Sequence, residues 1–149
     1  MKSEKKLLSP TGDTVFQTLF GEQENESFII PFIQSIIKRP IEKIDLTQNT
    51  IFRPKHAKDK KSVVDVLAVL QEGTKVNIEM QKVSKDFDVR RFLYYWSITY
   101  TRGFESGGDY KDLHDTICIL ILKETYPGFE DFPYHSTWRV KCEESVKLM

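Results

Sequence analysis

The stretch that most constrains this chain is Val63 to Leu70, followed after Gln71-Glu72-Gly73 by Thr74 and then Lys75 to Gln81. Both halves are rich in β-branched and aliphatic residues. They are separated by a glycine-containing break, which predicts two strands joined by a tight turn. A three-residue loop closing on Leu70 and Thr74 puts Gly73 at the position that requires a left-handed backbone, which glycine tolerates. Counting back from that closure sets Asp65 opposite Glu79. A two-residue loop, Glu72-Gly73, sets Asp65 opposite Met80 and Glu79 opposite Val66, mixing polar and apolar faces, so the side-chain pattern selects the first register. Alternation then places Asp65 on the side of Val63, Leu67 and Val69, with Val64, Val66, Ala68 and Leu70 on the other. In the second strand Val76, Ile78 and Met80 share one side, and Lys75, Asn77, Glu79 and Gln81 the other.

Two carboxylates facing each other across a sheet, with Cβ atoms ~4.5–5.5 Å apart, repel. A hard cation such as Mg²⁺ relieves that repulsion, because it takes oxygen ligands from one or two carboxylates, backbone carbonyls and waters. The competing reading is a wet strand end, with Asp65 or Glu79 bonded to Lys75, Lys61 or Gln81 and no metal. Residue spacing alone leaves both open.

The flanking segments supply the rest of a layered fold. Val15, Phe16, Leu19 and Phe20 form the stripe of a short amphipathic helix ending at Gly21, with Asp13 at or just before its first turn. Phe28, Ile29, Phe32, Ile33, Ile36 and Ile37 predict a second, buried helix capped by Asn25 and ended by Pro40. Pro31 is expected to lie near its start or to bend it. Ile41 to Phe52 reads as a strand, and Arg53 to Lys61 is a basic loop holding Lys55, Lys58, Lys60 and Lys61. A helix is expected from about Lys85 to Phe104, with Tyr94, Tyr95 and Trp96 as core residues. Thr116 to Leu122 has the character of a central strand covered on both faces. Tyr110 is expected to lock the loop leading into it, and Tyr134 to Cys142 offers one more strand. The order helix, three strands, helix, strand implies an α/β or α+β sandwich with a mixed sheet.

Composition limits the possible functions. Across 149 residues, 22 Lys+Arg balance 22 Asp+Glu, so the formal charge is zero, which argues against tight metal-free nucleic-acid binding. No apolar run reaches the ~18–20 residues that cross a bilayer, and no hydrophobic signal core follows the basic N-terminus, so a soluble, cytoplasmic single domain is expected. Cys118 and Cys142 lack CxxC spacing and read as packing thiols. His56, His114 and His135 show no paired ligand spacing, which disfavours structural zinc.

The segments Asp13-Thr14-Val15-Phe16 with Leu19-Phe20-Gly21, Lys60-Lys61-Ser62-Val63-Val64-Asp65-Val66-Leu67-Ala68 and Asn77-Ile78-Glu79-Met80-Gln81 occur in that order. Arg91 with Tyr94-Tyr95 follows, then Gly107 with Tyr110 and Leu113. Together they resemble the PD-(D/E)XK nuclease superfamily, and within it the recombination-promoting nuclease or putative transposase family. The resemblance runs from about Leu8 to Lys123.

It implies a restriction-endonuclease-like αβββαβ core with a mixed central sheet flanked by helices. It also implies a Mg²⁺-dependent DNA endonuclease, with Mn²⁺ as a substitute, linked to recombination or a mobile element and leaving a 5′-phosphate and a 3′-hydroxyl. Carried over by position, Asp65 and Glu79 are metal ligands, the Met80 carbonyl is a further ligand, and Asp13 assists from the first helix. Gln81 stands where the motif usually has lysine, and Gln17 where related sequences commonly have lysine. Lys58, Lys60, Lys61 and Arg91 are the candidate DNA contacts, with Lys55 beside them. Arg90 and Arg91 have the alternative of pairing with Asp86 and Asp88. DNA is the implied partner, with no membrane, and a homo-oligomer is left open. Relatives continue beyond the nuclease core, so a shortened C-terminus is expected. The runner-up is a catalytically silent nuclease-fold module that binds DNA or protein, and the third reading is a plain structural domain.

Overall fold

The computed structural model describes residues 9–10, 12–52, 62–81 and 88–140. Among these residues three α-helices, α1 (Asp13–Gly21), α2 (Glu26–Ile37) and α3 (Arg90–Tyr100), accompany four strands, β1 (Ile44–Phe52), β2 (Ser62–Leu70), β3 (Lys75–Gln81) and β4 (Thr116–Leu122). The strands form one mixed sheet in the order β1-β2-β3-β4. β1/β2 and β2/β3 are antiparallel and β3/β4 is parallel. The parallel pair requires a crossover, which α3 supplies. The fold expected from the sequence is the fold found.

The β2–β3 turn closes as its residues predict. The Leu70 amide donates to the Thr74 carbonyl at 2.9 Å and the Gly73 amide to the Leu70 carbonyl at 2.9 Å. Gly73 has φ +87°, and a Cβ built there would lie 2.5 Å from the His114 imidazole. Conformation and contact therefore both demand glycine. The ladder runs Val69↔Lys75, Ala68↔Val76, Leu67↔Asn77, Val66↔Ile78, the register in which Asp65 meets Glu79.

The two faces of the sheet are packed differently. On one face, Val66, Ala68, Leu70, Val76 and Ile78 meet Phe16 of α1 and Ile29 and Ile33 of α2 in a single apolar cluster. Phe20 bridges the two helices, its ring centroid 4.9 Å from that of Phe16 and 5.3 Å from that of Phe32. On the other face a smaller cluster joins Val64 and Leu67 to Tyr95, with Ile98 against it. Strict alternation expected Val64 beside Val66. It packs instead with Leu67 and Tyr95, beyond the last regular β2–β3 pair, Val66↔Ile78.

α2 begins directly after Asn25, the cap position read from the sequence, and Pro31 lies inside the helix, five residues from its start. Pro31 is exposed, as is Ser27, whose carbonyl loses its usual donor, so water can satisfy that group on the solvent side. Asn25 occupies the N-cap position but makes no side-chain cap bond. Its Nδ2 donates to the Thr18 carbonyl at 2.7 Å, tying α2 to α1. β4 is an edge strand among the described residues rather than a central one, and only Ile119 along it is buried. Residues 134–140 form no strand, and Cys142 lies outside the described residues. That segment is tied by aromatic contacts, with Phe129 5.2 Å from Phe132 and 5.8 Å from Trp138, centroid to centroid. Tyr110 is 80% exposed and stacks only on Phe104 among the described rings, so it does not lock the approach to β4.

Two side chains set the position of α3. The Lys75 ammonium, at the start of β3, donates to the carbonyls of Tyr100 and Arg102 at the C-terminal end of α3, where a positive charge complements the helix dipole. The Trp96 indole donates to the Thr116 carbonyl at 2.8 Å. At the other edge, the Gln23 carboxamide grips β1: its Nε2 donates to the Ile44 carbonyl at 2.8 Å and its Oε1 accepts from the Leu46 amide at 2.9 Å.

Candidate metal centre

One step beyond Val66↔Ile78, crossed side-chain bonds link β2 and β3. The Asp65 amide donates to Glu79 Oε1 at 3.3 Å, and the Met80 amide donates to Asp65 Oδ2 at 3.0 Å. Each carboxylate is thus oriented by a backbone N–H of the opposite strand. The β2–β3 register brings these two acids together, as the turn chemistry required.

Burial makes the pair costly. Glu79 is 3% exposed, and burial, with the Asp65 charge second, pushes its carboxyl up to about 7. The Asp65 amide, the Arg91 guanidinium and Asn77 oppose that rise. Asn77 is fully buried on the same side of β3, with Nδ2 3.6 Å from Cys118 Sγ and no partner for Oδ1 among the described residues. Burial holds the Cys118 thiol up to about 12, so it is a packing thiol, as expected.

The donor set suits a hard divalent cation. Two carboxylates converge, and their repulsion is what a cation would relieve. The Met80 carbonyl has a suitable direction. In a regular strand one residue's N–H and C=O point to the same side. The Met80 amide points to Asp65, whereas the Gln81 carbonyl accepts from the Lys123 amide on the β4 side at 3.1 Å. No cluster of three or more His, Cys, Asp or Glu occurs among the described residues, so any such cation would rely on carbonyl and water ligands to complete its shell.

The remaining expected residues divide into two groups. Gln81 follows Glu79 by two positions and is half-buried on the same side of β3. Asp13 opens α1, but its side chain lies outside the description, as do Lys55, Lys58, Lys60 and Lys61. Arg91 is present and exposed near the carboxylates. Arg90 pairs with Asp88, the alternative expected for it, whereas Arg91 has no ion pair among the described residues, and Asp86 lies outside them.

Tyr95 is a functional candidate that its reading as a core residue passed over. Its ring is 5% exposed, yet its hydroxyl accepts from Arg91 Nε at 3.0 Å and Nη2 at 2.7 Å, and the guanidinium lies 4.9 Å from the ring centroid. The i, i+4 spacing of Arg91 and Tyr95 was the available signal. Tyr94, in contrast to the core role expected for it, is 40% exposed.

A mixed sheet, a parallel crossover through α3 and a crossed Asp–Glu pair at the β2–β3 divergence define a nuclease-like α+β core. The chain belongs to the PD-(D/E)XK nuclease family transposases, whose sequence profile matches residues 10–148. No curated protein and no solved structure matches it. No helix among the described residues is long and apolar enough to cross a membrane.

Proposed function

We propose that this chain is a Mg²⁺-dependent endonuclease that hydrolyses DNA phosphodiesters with little sequence preference, in the service of recombination or a mobile element. It acts as a single domain in the cytoplasm, and Mn²⁺ would substitute for Mg²⁺. The observation that carries this reading is the crossed Asp65–Glu79 pair, two acids built into an otherwise aliphatic hairpin at the point where its ladder gives way.

Asp65, Glu79 and the Met80 carbonyl would hold the cation. When bound, such an ion neutralises the scissile phosphate and acidifies a water. The backbone amides of Asp65 and Met80 keep the two carboxylates in one orientation, so little reorganisation accompanies the reaction. Gln81 offers the attacking water a hydrogen bond but neither positive charge nor a titrating group. Asp13 assists from the start of α1. Lys58, Lys60 and Lys61 hold neighbouring phosphates, giving salt-dependent affinity without sequence preference, and Arg91 faces the phosphate at the carboxylate pair.

Supercoiled plasmid incubated with Mg²⁺ and the wild-type chain should be nicked, and Asp65→Ala and Glu79→Ala should each lower the rate by about a thousandfold or more, ~4 kcal/mol of barrier. Equal cleavage by all three removes the site. Gln81 in place of lysine favours a second reading, a silent nuclease-fold module, whose signature is DNA binding without metal-dependent nicking.

A further inference from the structure

Arg90 and Arg91 are adjacent on α3 but are held in different ways. Arg90 lies against the Asp88 carboxylate, with Nε 2.9 Å from Oδ2 and 3.0 Å from Oδ1, so its charge is cancelled locally. Arg91 is bound by a neutral phenol. Tyr95 accepts two of the guanidinium's five N–H donors and lies beneath it, which fixes the direction of the group without neutralising it. Tyr95 itself is wedged against Val64 and Leu67, on either side of Asp65 in β2. The Arg91 charge is close enough to Glu79 to favour its ionised form. An oriented cation with no acidic partner among the described residues thus stands beside the carboxylate pair, and the strand that carries Glu79 offers an uncharged Gln81.

We propose that Arg91, held by Tyr95, supplies to the scissile phosphate the positive charge that Gln81 lacks. This rests on the nuclease reading above. During hydrolysis a water oxygen forms a bond to phosphorus while the bond to the 3′ oxygen breaks. The water gives up a proton to solvent and the departing oxygen takes one up. Negative charge on the non-bridging oxygens grows toward the transition state, where donors from a preorganised guanidinium act most strongly. Arg91 is a catalytic residue in this scheme, and Tyr95 is the positioning residue that aims it.

The test uses the full chain, supercoiled plasmid and Mg²⁺, with circular dichroism melts confirming that each variant folds. Arg91→Ala should lower kcat by about 10²–10³-fold, the usual effect of losing one such donor. KM should stay within about threefold, the sign of an interaction made chiefly in the transition state. Tyr95→Phe keeps the ring but not the acceptor, and should lower kcat by roughly tenfold with KM little changed. Arg90→Ala should leave the rate unchanged. Introducing Gln81→Lys into Arg91→Ala should restore at least about tenfold of the lost kcat, because a lysine there would supply the same charge. Metal-free DNA binding, read by fluorescence anisotropy, should be nearly the same for wild type and Arg91→Ala.

Unchanged kcat in Arg91→Ala, or a loss confined to KM and to metal-free affinity, overturns the proposal and leaves Arg91 an ordinary phosphate contact. Failure of Gln81→Lys to rescue the variant also overturns it. If wild type does not cleave, or Asp65→Ala cleaves equally well, the nuclease reading fails and the Arg91 role fails with it. That result is distinct from a dead Asp65→Ala beside a fully active Arg91→Ala.

Discussion

The two faces of the sheet are covered by helices in the same way yet are built for different ends. Under α1 and α2 the contacts are hydrocarbon, with Phe16, Ile29, Ile33, Val66, Val76 and Ile78 all fully buried. Under α3 the cover is shared with a buried acid, a buried amide and a phenol that holds a guanidinium. The first face gains its stability from area removed from water. The second gives up part of that gain by enclosing Glu79 beside Asp65, whose charge together with burial disfavours the ionised acid. Stability and proposed chemistry are thus assigned to opposite sides of one sheet.

That division can be tested first where the effect is largest. Phe16→Ala should cost about 3–5 kcal/mol by chemical denaturation, because a void in close-packed hydrocarbon only partly collapses. Whatever remains folded should keep its response to divalent metal. A comparable loss of metal response would show that the faces are coupled.

The polar face should respond to pH with the opposite logic. The folded-state value for Glu79, about 7, lies above its ordinary 4.5, so folding favours the protonated acid. The metal-free protein therefore has this contribution in full below about pH 4.5 and loses it as pH rises toward 7, on the order of 3 kcal/mol across the window. Thermal melts in chelator should fall over that interval, Glu79→Gln should flatten the fall, and millimolar Mg²⁺ at pH 8 should restore stability in wild type but not in the variant. A melting temperature independent of pH between those limits would mean that Glu79 is not under strain.

The smallest expected effect lies away from both faces and serves as a control. Lys38 closes α2 in the left-handed conformation, φ 56°, its amide donating to the Gln34 carbonyl at 3.0 Å. Glycine adopts that geometry without a Cβ penalty, so Lys38→Gly should stabilise the chain by roughly 1 kcal/mol without altering the pH profile.

The hairpin was legible in the sequence because two local demands agreed. Gly73 fixed the loop, alternation fixed the faces, and the acids followed. Asn25 and Pro40 marked the ends of α2, but Pro31 left its course open, because whether water can satisfy the bond lost at a proline depends on which side of the helix faces solvent, a tertiary property. β4 read as central because an uninterrupted apolar run reports coverage of both faces, not the presence of neighbours on both edges. Tyr95 read as core, and is core. Its hydroxyl's second task depends on where α3 lies, which Lys75 and Trp96 settle from sites on β3 and at β4.

The Gln23 clasp on β1 has a consequence for growth of the sheet. A carboxamide presents one donor and one acceptor side by side, as a neighbouring strand does. With the Ile44 carbonyl and the Leu46 amide taken by Gln23, that end of β1 has no vacancy for an incoming backbone. Among the described residues, the first edge of the sheet is therefore capped by a side chain rather than left as a template.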